Sequence, residues 1–313
     1  MLMNNTNQSL DLMSTKRFVN LFLQEEQKTI NSLKHEKANI TKAINQIINK
    51  IKHNGQVIYL GAGTSGRLGV LDASECRPTF NTNKFLALIA GGKDAIFKAK
   101  EGAEDNTKQA IKDLNKIKIT KNDVLIGISA SGTTPYVISG VRFARKKKIV
   151  TIGITSTPNS LLAKLATYKI TPDIVSEIIS GSSRLRAGTA QKIILNMISS
   201  ITMIKTGKVY RNLMIDVQPT NKKLINRAIG IISMVCNIPL NKAKVLFEKS
   251  KQNTKAAIIM HYKNCNLSKA NMVFKRANRN AGAGPKTYQT TNVIIAIMIT
   301  IGTKYEETKS ASL

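Results

Sequence analysis

Between Val57 and Val175, short apolar runs alternate with loops and helical patterns, and this alternation constrains the fold more than any other feature of the chain. The runs are Val57–Leu60, Phe85–Ala90, Val124–Ile128, Ile149–Ile154 and Ile170–Val175. Helical segments are expected between them near Arg67–Ala73, Ala95–Ala103, Tyr136–Lys147 and Ser160–Ala166. Strands apolar on both faces and separated by helices predict a doubly wound α/β domain, a parallel sheet covered by helices on each side. Ligands of such sheets bind beyond the carboxyl ends of the strands, so the loops there hold the candidate chemistry.

Flanking segments read as helical. From Ser14 to Lys52 apolar residues such as Phe18, Leu21, Leu33, Ile40, Ile44, Ile47 and Ile51 recur mostly at three- or four-residue steps, with a break near Glu36 and an end at Asn54-Gly55. A further helix is expected at about Ala187–Lys205, and short ones around Ala243–Phe247, Thr254–Tyr262 and Leu267–Ala277. The expected organisation is an N-terminal helical segment over 1–52, a sheet domain over 53–220 and a small C-terminal helical appendage over 221–313. The stretch Ala281–Leu313 opens with Ala-Gly-Ala-Gly-Pro and does not continue the helical pattern.

Composition excludes several classes. With 42% hydrophobic residues the chain is not a disordered one, and a fold of its size buries about 75% of its extended surface without staples. Three scattered cysteines, Cys76, Cys236 and Cys265, exclude a disulfide scaffold and fit a reducing cytoplasm. The polar stretch Met1–Met13 lacks a secretion core, and the run Val293–Gly302 is about half a bilayer span, so no membrane partner is expected. Forty-eight Lys and Arg against 18 Asp and Glu give a net charge of +30, which raises the question of nucleic acid. The basic residues are spread along the chain, aromatics are 5% and tryptophan is absent, which argues against dedicated nucleic-acid binding. A positive field would still speed the capture of small anions.

Two loops narrow the ligand. Gly61-Ala62-Gly63-Thr64-Ser65-Gly66 follows the first run and matches the spacing of a dinucleotide loop. A dinucleotide site also needs an acid about 20 residues on, at a position where this chain has Asn81-Thr82-Asn83-Lys84. An ordinary tight turn into a helix is the bland alternative. The second loop, Ser129-Ala130-Ser131-Gly132-Thr133-Thr134, follows the third run and would surround an anion with hydroxyls and free N–H groups. Two such loops in one sheet point to a phosphorylated ligand.

Five blocks then resemble the N-acetylmuramic acid 6-phosphate etherase family of sugar isomerase (SIS) domain proteins. They are GAGTSGRLGVLDASECRPTF from Gly61, EGAED from Glu101, SASGTTPYV from Ser129, GSSRLRAGTAQK from Gly181 and GKVYRNLMIDVQPTN from Gly207. The resemblance runs over about Ser14–Ala228 and implies an SIS fold, a cytoplasmic homodimer, an amino-sugar 6-phosphate substrate, and no metal or cofactor. The family splits the ether between D-lactate and sugar C3, giving N-acetylglucosamine 6-phosphate. By the same resemblance Glu75 is the proton donor and Glu104 the second active-site glutamate, assigned here as the base. Phosphate would fall to Ser65, Ser129, Ser131 and Thr134, with Thr64 assisting.

Elimination explains why two carboxyls suffice. Once the sugar ring opens, the C2 proton lies beside an aldehyde, a base removes it, and an acid protonates the departing lactate oxygen. That acid is expected to be partly desolvated so that it keeps its proton. Asp72 and Asp105 are weaker candidates, and Glu101 reads as a helix-face charge. Arg184 and Lys192 stand equally as ligand contacts or surface charges. The histidines His35, His53 and His261 have no metal-like spacing, and Cys76 reads as a small buried residue. The chain departs from the family at Arg77 (usually proline), Thr133 (usually arginine) and Arg211 (usually glycine). A non-catalytic SIS sugar-phosphate sensor is the alternative function, and retention of both glutamates favours the enzyme.

Overall fold

The computed structural model describes residues 10–174, 176–217 and 219–280, with side chains through 273; the expected tail over 281–313 lies outside the described residues. The chain forms two compact units. One comprises residues up to Cys76 together with Asn83–Thr202, the other Arg77–Thr82 and the chain from Met203 on.

The first unit starts with α1 (Thr15–His35), capped by the Ser14 hydroxyl, which accepts from Arg17 N. Helix α2 (Lys37–Lys52) follows after a single residue and buries Ile40, Ala43, Ile44 and Ile47 at helical spacing. Glu36, at the junction, explains the break. Its carboxylate accepts from Asn39 Nδ2 at 2.9 Å and from Thr171 N at 3.0 Å, tying the helices to the far side of the sheet.

The sheet consists of β1 (Val57–Gly61), β2 (Phe85–Ile89), β3 (Val124–Ile128), β4 (Val150–Ile154) and β5 (Tyr168–Ile170), in the order β2-β1-β3-β4-β5. All four pairings are parallel, as the runs predict. Every residue of β1 and β3 is buried, which requires cover on both faces. Helices α3 (Gly63–Phe80), α4 (Thr107–Lys116), α5 (Pro135–Lys146) and α6 (Leu161–Leu165) connect the strands, and α7 (Arg186–Lys205) follows β5. Helix α5 approaches β1 closely because Gly140 has no side chain: a Cβ there would sit 2.3 Å from Leu60 Cδ2.

Two expectations need correcting. Ala95–Ala103 is not a helix but lies among short 3-10 turns, Lys93–Ile96 and Ala103–Asp105, because Gly91, Gly92 and Gly102 take positive φ. The connecting helix is α4, a mostly polar segment whose core contact rests on Ala110 and Leu114. The fifth strand ends at Ile170 rather than beginning there, since Thr171 N is taken by Glu36. Helix α3 runs through Pro78 to Phe80, so the bond lost to the missing N–H falls only in its last turn.

In the second unit a two-stranded hairpin, β6 (Val209–Tyr210) and β7 (Leu213–Met214), turns through Arg211 at φ 51°. Helices α8 (Lys222–Cys236), α9 (Leu240–Lys249), α10 (Thr254–Lys263) and α11 (Leu267–Asn280) follow. The hairpin and α8 were not expected from the sequence; the others lie where short helices were. Asp216 holds Lys208 and, at 3.1 Å, Lys255. Burial pushes the Lys255 amine below its usual value, against the pull of Asp216. Among the described residues no single helix is long and apolar enough to cross a membrane.

Candidate active site

Gly61, the last residue of β1, pairs with Ile89 on one side and Ile128 on the other, so three loops leave the same edge together. The order β2-β1-β3 means that the chain goes outward from β1, then returns across it to β3. At such a switch point the loops diverge and open a crevice at the carboxyl ends. The first and second hydroxyl loops flank that crevice.

The first loop is held close by its glycines. A Cβ at Gly61 would lie 2.7 Å from Gly66 N, and one at Gly66 would lie 2.6 Å from Ile89 Cγ1. Gly63 has room around it but takes φ 51°, where α3 begins. Ser65 is buried and Thr64 half-buried at the helix start.

The second loop is a chain of hydroxyls. Ser129 Oγ lies 2.8 Å from Thr134 Oγ1 and accepts from Gly132 N at 3.0 Å. Ser131 Oγ lies 2.9 Å from Thr133 Oγ1 and accepts from Thr133 N. Thr134 precedes Pro135 as the N-cap of α5, yet its hydroxyl does not cap the helix. The first N–H groups of α5 and the hydroxyls of Ser129, Ser131 and Thr134 therefore face one edge, a combination suited to a phosphate. Gly132 is required here, at φ 68°, with a Cβ position 2.1 Å from Ser160 Oγ. Thr133, the departure inside this loop, adds a hydroxyl to the same chain.

The fourth block, from Gly181, closes on the first loop. A Cβ at Gly188 would meet Thr64 Cγ2 at 3.6 Å and Ser183 O at 3.5 Å. Here α7 differs from α5. The buried Glu177 carboxylate takes the N–H groups of Arg186 and Ala187, both at 2.9 Å, and so caps α7 from within the chain. Arg186 is buried and committed to Glu25 at 2.8 Å, Thr29 and Ser176 O. Arg184 and Lys192 remain exposed.

Glu104 sits in the turn Ala103–Asp105 beyond β2, on the same edge, and is exposed, as are Glu101 and Asp105. Beside this turn lies a cavity of about 430 Å³ lined by Gly91, Gly92, Lys100, Glu101, Asn106 and Asp113, among others. Glu75 is placed differently. It lies twelve residues past Gly63 on α3, about 18 Å along the helix, with its side chain exposed. Within one chain the two glutamates are thus on separate elements, and neither is desolvated.

Asp72, a weaker candidate by sequence, is also a buried carboxylate. Its Oδ2 accepts from Tyr59 OH at 2.8 Å; its Oδ1 accepts from Asn196 Nδ2 at 2.8 Å and Ser199 Oγ at 3.0 Å. Burial raises its affinity for a proton, while the three donors and the Lys192 charge oppose the rise. Burial and the neighbouring Asp72 charge push the Cys76 thiol up to about 12, so this cysteine is not a nucleophile. No sequence signal marks Asp72, because its partners are 13, 124 and 127 residues away. Among the described residues no group of three His, Cys, Asp or Glu side chains is placed to hold a metal.

Residues 39–145 match the glucokinase regulatory protein N-terminal SIS domain, and residues 106–200 match the SIS domain. The N-acetylmuramic acid 6-phosphate etherase of Clostridium beijerinckii is 47% identical over 265 residues, covering 84% of this chain and 87% of that protein. The etherase of Staphylococcus saprophyticus is 46% identical over 265 residues, 84% of this chain and 90% of its own. That of Francisella philomiragia is 44% identical over 259 residues, with 82% and 88% covered.

Proposed function

This chain belongs to the N-acetylmuramic acid 6-phosphate etherase family, and on that premise we propose that it is a carbon–oxygen lyase removing D-lactate from N-acetylmuramic acid 6-phosphate. The observation that carries the reading is identity to etherases along more than four fifths of the chain, joined to a hydroxyl loop at the switch point of the sheet. The product is N-acetylglucosamine 6-phosphate, an amino sugar of cell-wall turnover, and the setting is the cytoplasm.

In this reading the phosphate rests on Ser65, Ser129, Ser131 and Thr134, with Thr64 at its side and the α5 N–H groups beneath it. Opening of the ring leaves an aldehyde at C1. Glu104 takes the C2 proton, the C3–O bond breaks, and Glu75 gives its proton to the lactate oxygen. Water then adds at C3 of the unsaturated aldehyde, with the proton returned to C2. The sequence uses two carboxyl groups and calls on no metal or cofactor. Each positioned proton transfer contributes about 10²–10⁴-fold.

Glu75 needs a cover that a single chain does not give it. The family homodimer supplies one: a second copy laid over α3 would desolvate Glu75 and bring it to the partner's hydroxyl loops. Leu71, 50% exposed one turn before Glu75, is an apolar contact for that copy.

The test is incubation with N-acetylmuramic acid 6-phosphate in ¹⁸O-water. The expected outcome is D-lactate release with label at sugar C3. Glu75→Gln is expected to lower turnover by about 10²–10⁴-fold while inorganic phosphate still binds. Label at the lactate oxygen would exclude elimination. The match to the glucokinase regulatory SIS domain supports a second reading, a sugar-phosphate sensor, for which binding without turnover is the signature.

A further inference from the structure

We infer that Asp72 is a positioning residue: it locks α3 to α7 in one register and thereby fixes where α3 presents Glu75. The inference rests on the role proposed for Glu75, and its test separates the two.

The contacts between α3 and α7 keep a constant offset. Thr64 meets Gly188, and Asp72 meets Asn196 and Ser199, so the helices run side by side in the same direction from the loop edge. Most of such a seam can slide, since apolar side chains set helix register only through shape. Asp72 is different because its acceptors are directional. One oxygen is held by two donors of α7 and the other by Tyr59 of β1, so a single carboxylate joins strand, helix and helix. It is 5% exposed and Tyr59 1%, so water cannot replace these bonds. A slip of α3 by one turn would break all three and leave Tyr59 and Ser199 as buried donors without acceptors.

The carboxylate is a poor choice for stability alone. Burial opposes its ionisation, and an apolar side chain would fill the seam without that cost. What the charge and geometry supply is a single arrangement. Glu75 is the next residue but two, about one turn further along α3, and Cys76 follows it into the seam beside Ser199. An error in Asp72's place is therefore passed directly to Glu75. The first loop, at the start of α3, is held by its own glycines and by Gly188, so phosphate binding is buffered from the same error.

The experiment compares Asp72→Leu, Asp72→Asn and an Asn196→Ala/Ser199→Ala double variant in lactate release, with kcat and KM measured separately. Leucine removes the acceptors; asparagine keeps one oxygen and can turn its amide toward Tyr59. We expect Asp72→Leu and the double variant to lose at least tenfold in kcat with KM within threefold, and Asp72→Asn to stay within threefold of the parent in both. Turnover within twofold of the parent in Asp72→Leu, or in the double variant if the leucine protein does not fold, overturns the inference. Equal losses in Asp72→Leu and Asp72→Asn also overturn it. Alkylation of Cys76 reads the seam without any substrate. It should speed up at least fivefold in Asp72→Leu and the double variant, and unchanged labelling in both again overturns the lock. Absence of lactate release from the parent protein would overturn the etherase reading and leave the labelling result to decide the lock.

Discussion

Arg211 occupies a backbone conformation that suits glycine. It sits at φ 51° in the turn of the second unit's hairpin, with its guanidinium 5.5 Å from the Tyr210 ring centre. The left-handed region costs a side-chain-bearing residue about 1–2 kcal/mol, and an exposed cation–ring contact returns about 0.5–1 kcal/mol. Arg211→Gly is therefore expected to raise stability by about 0.5–1 kcal/mol in urea unfolding; a loss would mean the ring contact outweighs the strain. At Asp72 the sign follows from a carboxyl whose folded-state affinity for protons is raised above the ordinary 3.8. Such a group favours the folded state when protonated, and stability falls as pH rises from that ordinary value through the folded one. Asp72→Asn removes the penalty, so it should be at least as stable as the parent at pH 7, with the difference vanishing below about pH 3.8. A variant less stable at pH 7 would show that the hydrogen bonds outweigh the desolvation. Asp72 marks the limit of what the sequence discloses. The clustering of the Ser129, Ser131 and Thr134 hydroxyls is legible because they fall in one short loop. Asp72 and Glu177 act through partners far along the chain or at the start of another element, and nothing in their own neighbourhoods signals it.

At the level of elements, Glu177 decides which helix ends stay open to a ligand. It closes the first N–H groups of α7, whereas the Thr134 hydroxyl does not cap α5 beside the hydroxyl loop. Glu177→Ala removes the cap and leaves buried donors unpaired, a loss of about 1–3 kcal/mol. Amide exchange at Arg186 and Ala187 should accelerate, and the segment 181–185 beside Thr64 should loosen with it. Unchanged exchange at those two amides would show that another acceptor takes over the cap. The strands were legible because full burial on both faces leaves an uninterrupted apolar signature, as in Val124–Ile128. Helix α4 was not, because it buries little more than Ala110 and Leu114 and its remaining positions read as loop. The three positive-φ glycines, Gly91, Gly92 and Gly102, were the available signal that Ala95–Ala103 is no helix.

For the whole molecule, a charge of +30 raises the question of a polyanion, and membership of the etherase family answers it with a small phosphorylated sugar acid. What a single chain does not supply is the burial of Glu75, which sits about 18 Å along α3 from the loop edge. If the homodimer makes each site from the hydroxyl loops of one copy and Glu75 of the other, complementation follows. Glu75→Gln spoils the acid, and Ser129→Ala with Ser131→Ala spoils the phosphate loop. Unfolding and refolding equal amounts of the two inactive proteins together yields about half mixed dimers, each with one site that carries both lesions and one that carries neither. Activity should return to about a quarter of the parent level, because only one of the two sites in half of the dimers is intact. A site built within one chain gives the opposite result: every site then carries one lesion or the other, and the mixture stays as inactive as its components. Mixing without unfolding should restore activity only as fast as the dimers exchange subunits, so the time course separates shared sites from contamination by active protein.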